Sequence, residues 1–224
     1  YYYFAYAMSI KTPVVFLILF AISFAVILLN KCKNLITFIA LPSFFLFIIM
    51  SLSRANMGIR YILPCYPFLF LLTGIFWKIL LNKKHLYIII AVICIFFIAL
   101  HENISIYPHY LAYFNQIIGG PEKGYLHLLD SNLDWGQDLK GLSIYMKKNN
   151  INLVNLCYFG TAPPEYYGIN YTPIDPLKRT KGFCAISVTF YQGMFIMNKN
   201  YYKWLHAYKP IGNIGYSILL FEIK

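Results

Sequence analysis

The chain has 224 residues, of which 59% are hydrophobic, 19% aromatic and only 12% charged, and its mean hydropathy is positive. This excludes an ordinary soluble domain and points to a membrane protein. The net charge of +11 is uneven, because residues 1–100 hold eight Lys or Arg and no acid, whereas 101–224 hold all eight acids beside eleven Lys or Arg.

A basic half without acids suits anionic lipid or lipid phosphate. No basic helix or aromatic–basic repeat argues for nucleic acid. Cys32, Cys65, Cys94, Cys157 and Cys184 are far apart and show no metal spacing. They read as free thiols, with a Cys157–Cys184 bridge as the weaker alternative.

In chain order, the apolar runs Thr12–Asn30, Asn34–Ser53, Tyr61–Leu81 and Leu86–Leu100 predict about four transmembrane helices, the last extending towards Ile106. Pro13 suits a helix start, while Pro42 and Pro64 predict a kink or a fresh start. Lys31-Cys32-Lys33 and Asn82-Lys83-Lys84-His85 are short, basic and acid-free, which places them in the cytoplasm. The connector from Ser53 to Arg60 then lies outside, with Lys11 and everything after the fourth helix. Two arginines on the side that disfavours them suggest pairing with a phosphate. The plainer alternative is that Arg54 and Arg60 snorkel to head groups.

Beyond His101 the pattern changes. The aromatic stretch Tyr107–Asn115 leads to the breaker Gly119-Gly120-Pro121. Strands are then expected at Tyr125–Leu129, Ile151–Phe159 and Phe183–Phe190. Helices are expected from Leu139 and over Asn200–Tyr208, with a helix or loop around Glu165–Gly168, a polar stretch over Asn170–Gly182 and a closing hairpin over 209–223. The expected fold is a polytopic α-helical membrane region, residues 1–106, followed by a small three-layer α/β domain with a mainly parallel sheet, residues 107–224.

The polar focus is Asp130-Ser131-Asn132-Leu133-Asp134-Trp135-Gly136-Gln137-Asp138, between an expected strand and an expected helix. Ligands of α/β sheets favour that place. The candidate site there is Asp130, Asn132, Asp134, Trp135, Gln137 and Asp138, with His109 as a further candidate. The bland alternative makes Asp130 or Asp134 a helix cap and Trp135 part of the core. Asp130, Asn132, Asp134 and Asp138 also match four positions of a calcium loop, but Trp135 and Gly141 stand where Gly and Glu are needed. A divalent cation (Mg, Mn or Ca) is therefore only a minor expectation, and no metal ligands are assigned. No hydrolase, zincin or nucleotide motif is present.

Four stretches, in order, carry a resemblance: Lys11-Thr12-Pro13, Gly58–Pro64 with Tyr66-Pro67, Tyr107–Asn115 through Pro121, and Leu129–Leu139. Together they resemble the C-terminal half of bacterial polytopic glycosyltransferases related to the dolichyl-phosphate-mannose-protein mannosyltransferases. That C superfamily also includes aminoarabinose transferases. The resemblance implies an inner-membrane enzyme of the cell envelope that moves a sugar from a polyprenyl-phosphate donor to a glycan, lipid or protein acceptor on the extracytoplasmic face. It implies a donor-phosphate site at Arg54, Arg60, Tyr61 and Lys11. It also implies a catalytic acid in an early extracytoplasmic loop, whereas residues 1–100 contain none. The expectation is that the chain, which starts with Tyr, is the C-terminal portion of a longer enzyme and is inactive alone. The competing expectation is a non-catalytic membrane subunit that binds carbohydrate or cell wall.

Overall fold

The computed structural model describes residues 2–29, 33–53, 58–81, 86–198 and 200–224. Lys31, Cys32, Arg54 and the basic connector 82–85 lie outside these. The chain divides into two compact units, Tyr1–Tyr110 with Phe114–Gly119, and Leu111–Tyr113 with Gly120–Lys224.

The first unit is helical: α1 (Tyr3–Lys11), α2 (Val14–Leu29), α3 (Lys33–Leu52), α4 (Cys65–Leu81) and α5 (Leu86–Ile106). A helix that the apolar pattern did not mark, α1, precedes the expected first span Thr12–Asn30, which α2 matches. Here α1 meets α2 at a 118° bend. Thr12 and Pro13 cause it. A residue before proline avoids the helical region, and Thr12 is extended at φ −104°, ψ 136°. Pro64 differs: Leu63 before it stays in the helical region at φ −53°, ψ −37°, between the 3-10 turn Ile59–Ile62 and α4, which starts at Cys65. Pro42, by contrast, is accommodated inside α3.

Such breaks shorten the apolar stretches. Among the described residues, α5 is the one unbroken helix long and apolar enough to cross a membrane, and α1 with Val14–Val26 passes only as a bent pair. The stretches Thr37–Leu52 and Cys65–Lys78 are apolar but shorter. Phe4 of α1, Ile62 and Cys65 form a small buried core, flanked by Phe47 and Met50 of α3.

The second unit is built on one mixed sheet of five strands, ordered β2-β1-β3-β5-β4. Its strands are β1 (Val154–Cys157), β2 (Tyr171–Pro173), β3 (Gly182–Ser187), β4 (Gly212–Ile214) and β5 (Ile218–Ile223). Strand β1 runs parallel to β2 and β3, while β5 is antiparallel to β3 and β4. The expectation of a mainly parallel sheet is thus corrected. The closing hairpin adds to the free edge of β3, and a hairpin can pair only antiparallel within itself.

The expected strand at Tyr125–Leu129 is also corrected. Pro121–Leu126 is a 3-10 turn, entered through Gly119 and Gly120 at positive φ and closed by the His127 and Leu128 amides on the Gly124 carbonyl. Glycine and proline override the apolar run there. In turn, β2 falls in the polar stretch Asn170–Gly182, where no strand is expected. It is short and mostly exposed, so it left no alternating pattern.

Helix α6 (Leu139–Lys148) buries Leu139, Leu142, Ser143 and Met146, one helical face, against the sheet. Leu142 and Met146 join Val154, Leu156, Ala185, Ile218 and Leu220 in the core. The cross-strand pairs Leu156–Ala185 and Ala185–Leu220 hold that core in register. A short helix, α7 (Val188–Tyr191), follows β3, and the Tyr191 ring packs on Phe221 of β5 at 5.8 Å.

Leu142 is wholly buried in this core. Leu142→Ala is expected to destabilise the sheet unit by about 2–5 kcal/mol, read by pulse proteolysis of the whole protein in detergent. An unchanged denaturation midpoint would remove α6 from the core.

Candidate functional site

In the helical unit, three of the four stretches that carry the resemblance meet at the end of α1. The last carbonyls of a helix need partners from outside it. Here Asn115 supplies them: its side-chain amide donates to the Ser9 and Thr12 carbonyls at 2.7 and 2.8 Å, and its backbone N–H donates to Ile10 at 2.9 Å. Its side-chain oxygen accepts from Ile117, so the buried amide is satisfied at both ends. Thr12 and Tyr66 share a hydroxyl hydrogen bond of 2.6 Å. The Lys11 ammonium lies 4.2 Å from the centre of the Phe114 ring, a cation–π contact.

The turn carrying Arg60 and Tyr61 packs on α1 through Ile62 against Phe4. Arg60 is exposed, with its guanidinium 5.2 Å from the Tyr61 ring centre. Of the expected donor-site residues, Lys11, Arg60 and Tyr61 therefore belong to one helical unit, and Arg54 lies outside the described residues. His109 follows α5, its amide bonded to the Ile106 carbonyl at 2.7 Å.

In the sheet unit, residues 130–138 form a loop at the carboxyl ends of β1 and β3. Asp134 is fully buried and Asp138 nearly so. One Asp134 oxygen accepts from the Gly136 amide at 3.0 Å, and the other from the Thr189 hydroxyl at 2.9 Å. Asp138 accepts from Ser217 at 2.6 Å and from Gln137 at 3.0 Å. The Tyr158 hydroxyl closes the loop by donating to the Gly136 carbonyl at 2.6 Å. Burial raises the Asp134 pKa to about 6, against the lowering effect of the Gly136 amide and the Thr189 and Ser187 hydroxyls; nearby Asp138 raises it further.

The capping alternative named Asp130 or Asp134, but neither stands at the start of α6, and Asp134 accepts from the Gly136 amide of its own loop. Asp138 holds the N-cap position of α6, but its side chain makes no capping bond and turns to Ser217 instead. Trp135 is exposed rather than core, as is Gln137. Asn132 is buried and donates to the Leu129 carbonyl. Asp130 is half-buried at φ 52°, and its backbone carbonyl accepts from Leu133 and Asp134.

The expected loop residues thus divide into buried anchors, Asn132, Asp134 and Asp138, the half-buried Asp130, and an exposed pair, Trp135 and Gln137, with the Gln137 amide bonded to Trp135, Leu133 and Asp138 within the loop. Among the described residues, no three His, Cys, Asp or Glu side chains converge as a metal site would require. The loop's two buried carboxylates are instead satisfied by hydroxyl and amide donors.

Sequence reasoning missed the partners: Thr189, Ser187, Ser217 and Tyr158 here, and Asn115 and Tyr66 in the helical unit. A Cβ at Gly215, which has φ 57°, would fall on the Asp138 carboxylate. Glycine is therefore required there for close approach. The signal was a polar residue at a strand end, Ser187 closing β3 and Ser217 preceding β5. No family model, curated protein or solved structure matches this chain.

The folded chain holds the Asp134 proton more tightly than an unfolded chain would. This group therefore favours folding below its ordinary pKa of 3.8, and the advantage is lost as pH rises through about 6. Asp134→Asn keeps the shape without the charge. Relative to the unaltered chain it should gain stability between pH 4 and pH 7, by on the order of 1–3 kcal/mol. Parallel stability–pH curves for the two proteins would show that Asp134 is not the titrating anchor.

Proposed function

We propose that this chain is part of a bacterial inner-membrane glycosyltransferase that moves a sugar from a polyprenyl-phosphate donor to an extracytoplasmic acceptor. The observation that carries the reading is the convergence on Asn115. Lys11-Thr12-Pro13, the entry to α4 with Tyr66, and Phe114-Asn115 are far apart in sequence and share one hydrogen-bonded joint. Stretches picked out by the resemblance need not have touched.

In this reading the first unit is a polytopic membrane region with the sheet unit on the extracytoplasmic side, as the basic connectors favour. Arg60, with Arg54 and Lys11, holds the donor phosphate. A guanidinium offers a rigid pair of donors to phosphate oxygens, and near lipid that contact is weakly screened. Charge develops on the phosphate as the sugar departs, so the same cations stabilise the leaving group. Tyr61, beneath the Arg60 guanidinium, limits the directions that cation can take.

The acceptor hydroxyl must lose a proton to a general base. Residues 1–100 hold no acid, and Asp134 and Asp138 are buried. By the resemblance, the base is assigned to an extracytoplasmic loop on the N-terminal side. The exposed Trp135 and Gln137 are the parts of the sheet-unit loop offered to the acceptor.

The test is transfer of radiolabelled sugar from a polyprenyl-phosphate donor by membranes containing the full-length protein. Arg60→Ala is expected to cut turnover by roughly 100-fold, with Arg60→Lys intermediate and protein levels equal. Unchanged turnover in Arg60→Ala would remove Arg60 from the site, and no transfer by the unaltered protein with any lipid-linked sugar would contradict the enzymatic reading.

A further inference from the structure

After α7 the chain makes a tight turn and presents two large apolar side chains to solvent. Phe195 is 64% exposed and Met197 is fully exposed. The turn is ordered by its own bonds: the Gly193 amide donates to Phe190, and the Met194 amide to Thr189 at 3.0 Å. Phe195 sits at φ 59°, a conformation that bulky residues rarely adopt. Its ring lies parallel to that of Phe159, 5.8 Å away and tilted by 9°, and Phe190 meets Phe159 edge-on. The exposed Trp135 belongs to the same end of the sheet, because the Gly136 backbone runs against the Phe159 carbonyl. A soluble domain rarely builds a stacked, ordered support under side chains it leaves in water.

The surrounding composition identifies what would cover them. Between Val188 and Lys209 the sequence has Tyr191, Tyr201, Tyr202, Trp204 and Tyr208, with Lys199, Lys203 and Lys209 and no acid at all. Tyrosine, tryptophan and lysine around an apolar point are the composition of a membrane–water interface. Asp175, whose backbone carbonyl accepts from Trp204, brings one acid beside this stretch, and the excess of lysine favours anionic lipid head groups. The chain also contains α5, long and apolar enough to cross a bilayer. Residues 107–110 alone separate the end of α5 from Leu111, the first residue of the sheet unit, at most roughly 18 Å of extended chain.

We propose that Met194–Met197 is a membrane-docking tip, which places Phe195 and Met197 in the boundary between head groups and acyl chains. The tip would add a second, reversible attachment for the sheet unit and fix which of its faces turns to the lipid. Trp135, at the same end of the sheet, would then face the interface where a lipid-linked substrate arrives. The attachment itself does not depend on sugar transfer.

The test replaces Met197 with an environment-sensitive fluorescent amino acid in the full chain, reconstituted in phosphatidylcholine–phosphatidylglycerol vesicles. Met197 makes no buried contact, so its replacement leaves the fold intact. Lys148, exposed at the end of α6, carries the same probe as control. Nitroxide attached to the acyl chain is expected to quench the probe at 197 about threefold more than at 148, and Phe195→Asp should reduce that difference. Equal quenching at the two positions, or quenching by head-group nitroxide alone, would overturn insertion. In that case a protein partner would be the occupant to seek.

Discussion

The helical unit depends on how the end of α1 is satisfied. A helix that stops at a proline leaves carbonyls without partners, and in an apolar setting each one costs free energy comparable to a lost hydrogen bond. Asn115, about a hundred residues later, supplies donors to Ser9, Ile10 and Thr12 and satisfies its own oxygen with the Ile117 amide. An amide side chain suits this task because it donates twice and accepts as well. Aspartate has the same shape but would bring an acceptor to an acceptor. The sharp bend between α1 and α2 is thus held by a residue outside both helices, and Lys11 and Thr12 are held with it.

The sheet unit shows the same economy with the signs reversed. Two carboxylates are taken into the interior at the end of the strands, and each receives hydroxyl and amide donors. Thr189 comes from α7, just after β3, Ser217 from the turn before β5 and Gly136 from the loop itself. The loop therefore ties three parts of the sheet unit together. The cost of burial remains visible in the raised pKa of Asp134, because donors offset desolvation without abolishing it. Rigidity of this kind lets Trp135 and Gln137 stand out in fixed positions.

Much of this was legible in the sequence, and the failures have particular causes. The 3.6-residue pattern of Leu139, Leu142 and Met146 marked α6, and the apolar runs around Leu156 and Ala185 marked β1 and β3. The hairpin from Gly212 was marked by its glycines, but not its antiparallel insertion beside β3, which is a choice among tertiary pairings. Tyr125–Leu129 had strand character and became a 3-10 turn, because Gly120, Pro121 and Gly124 govern the backbone there. Of the candidate site, the positions were legible and the roles were not. Asp134 and Asp138 read as ligands, yet their partners lie 55 and 79 residues away. Asn115 stood in a stretch quoted for its resemblance, but nothing local says that it closes a helix 103 residues earlier.

The proposed chemistry needs Lys11 and the turn of Arg60 to be held on a fixed framework, and the joint at Asn115 is that framework's closure. Hydrogen exchange at the amides of residues 8–12 of the whole protein in detergent tests it directly, with and without Asn115→Ala. Loss of two buried side-chain hydrogen bonds should speed exchange there roughly tenfold or more, while the amides of α6 exchange as before. Equal exchange at residues 8–12 in the two proteins would show that Asn115 does not hold the bend and that the three stretches meeting there are not joined.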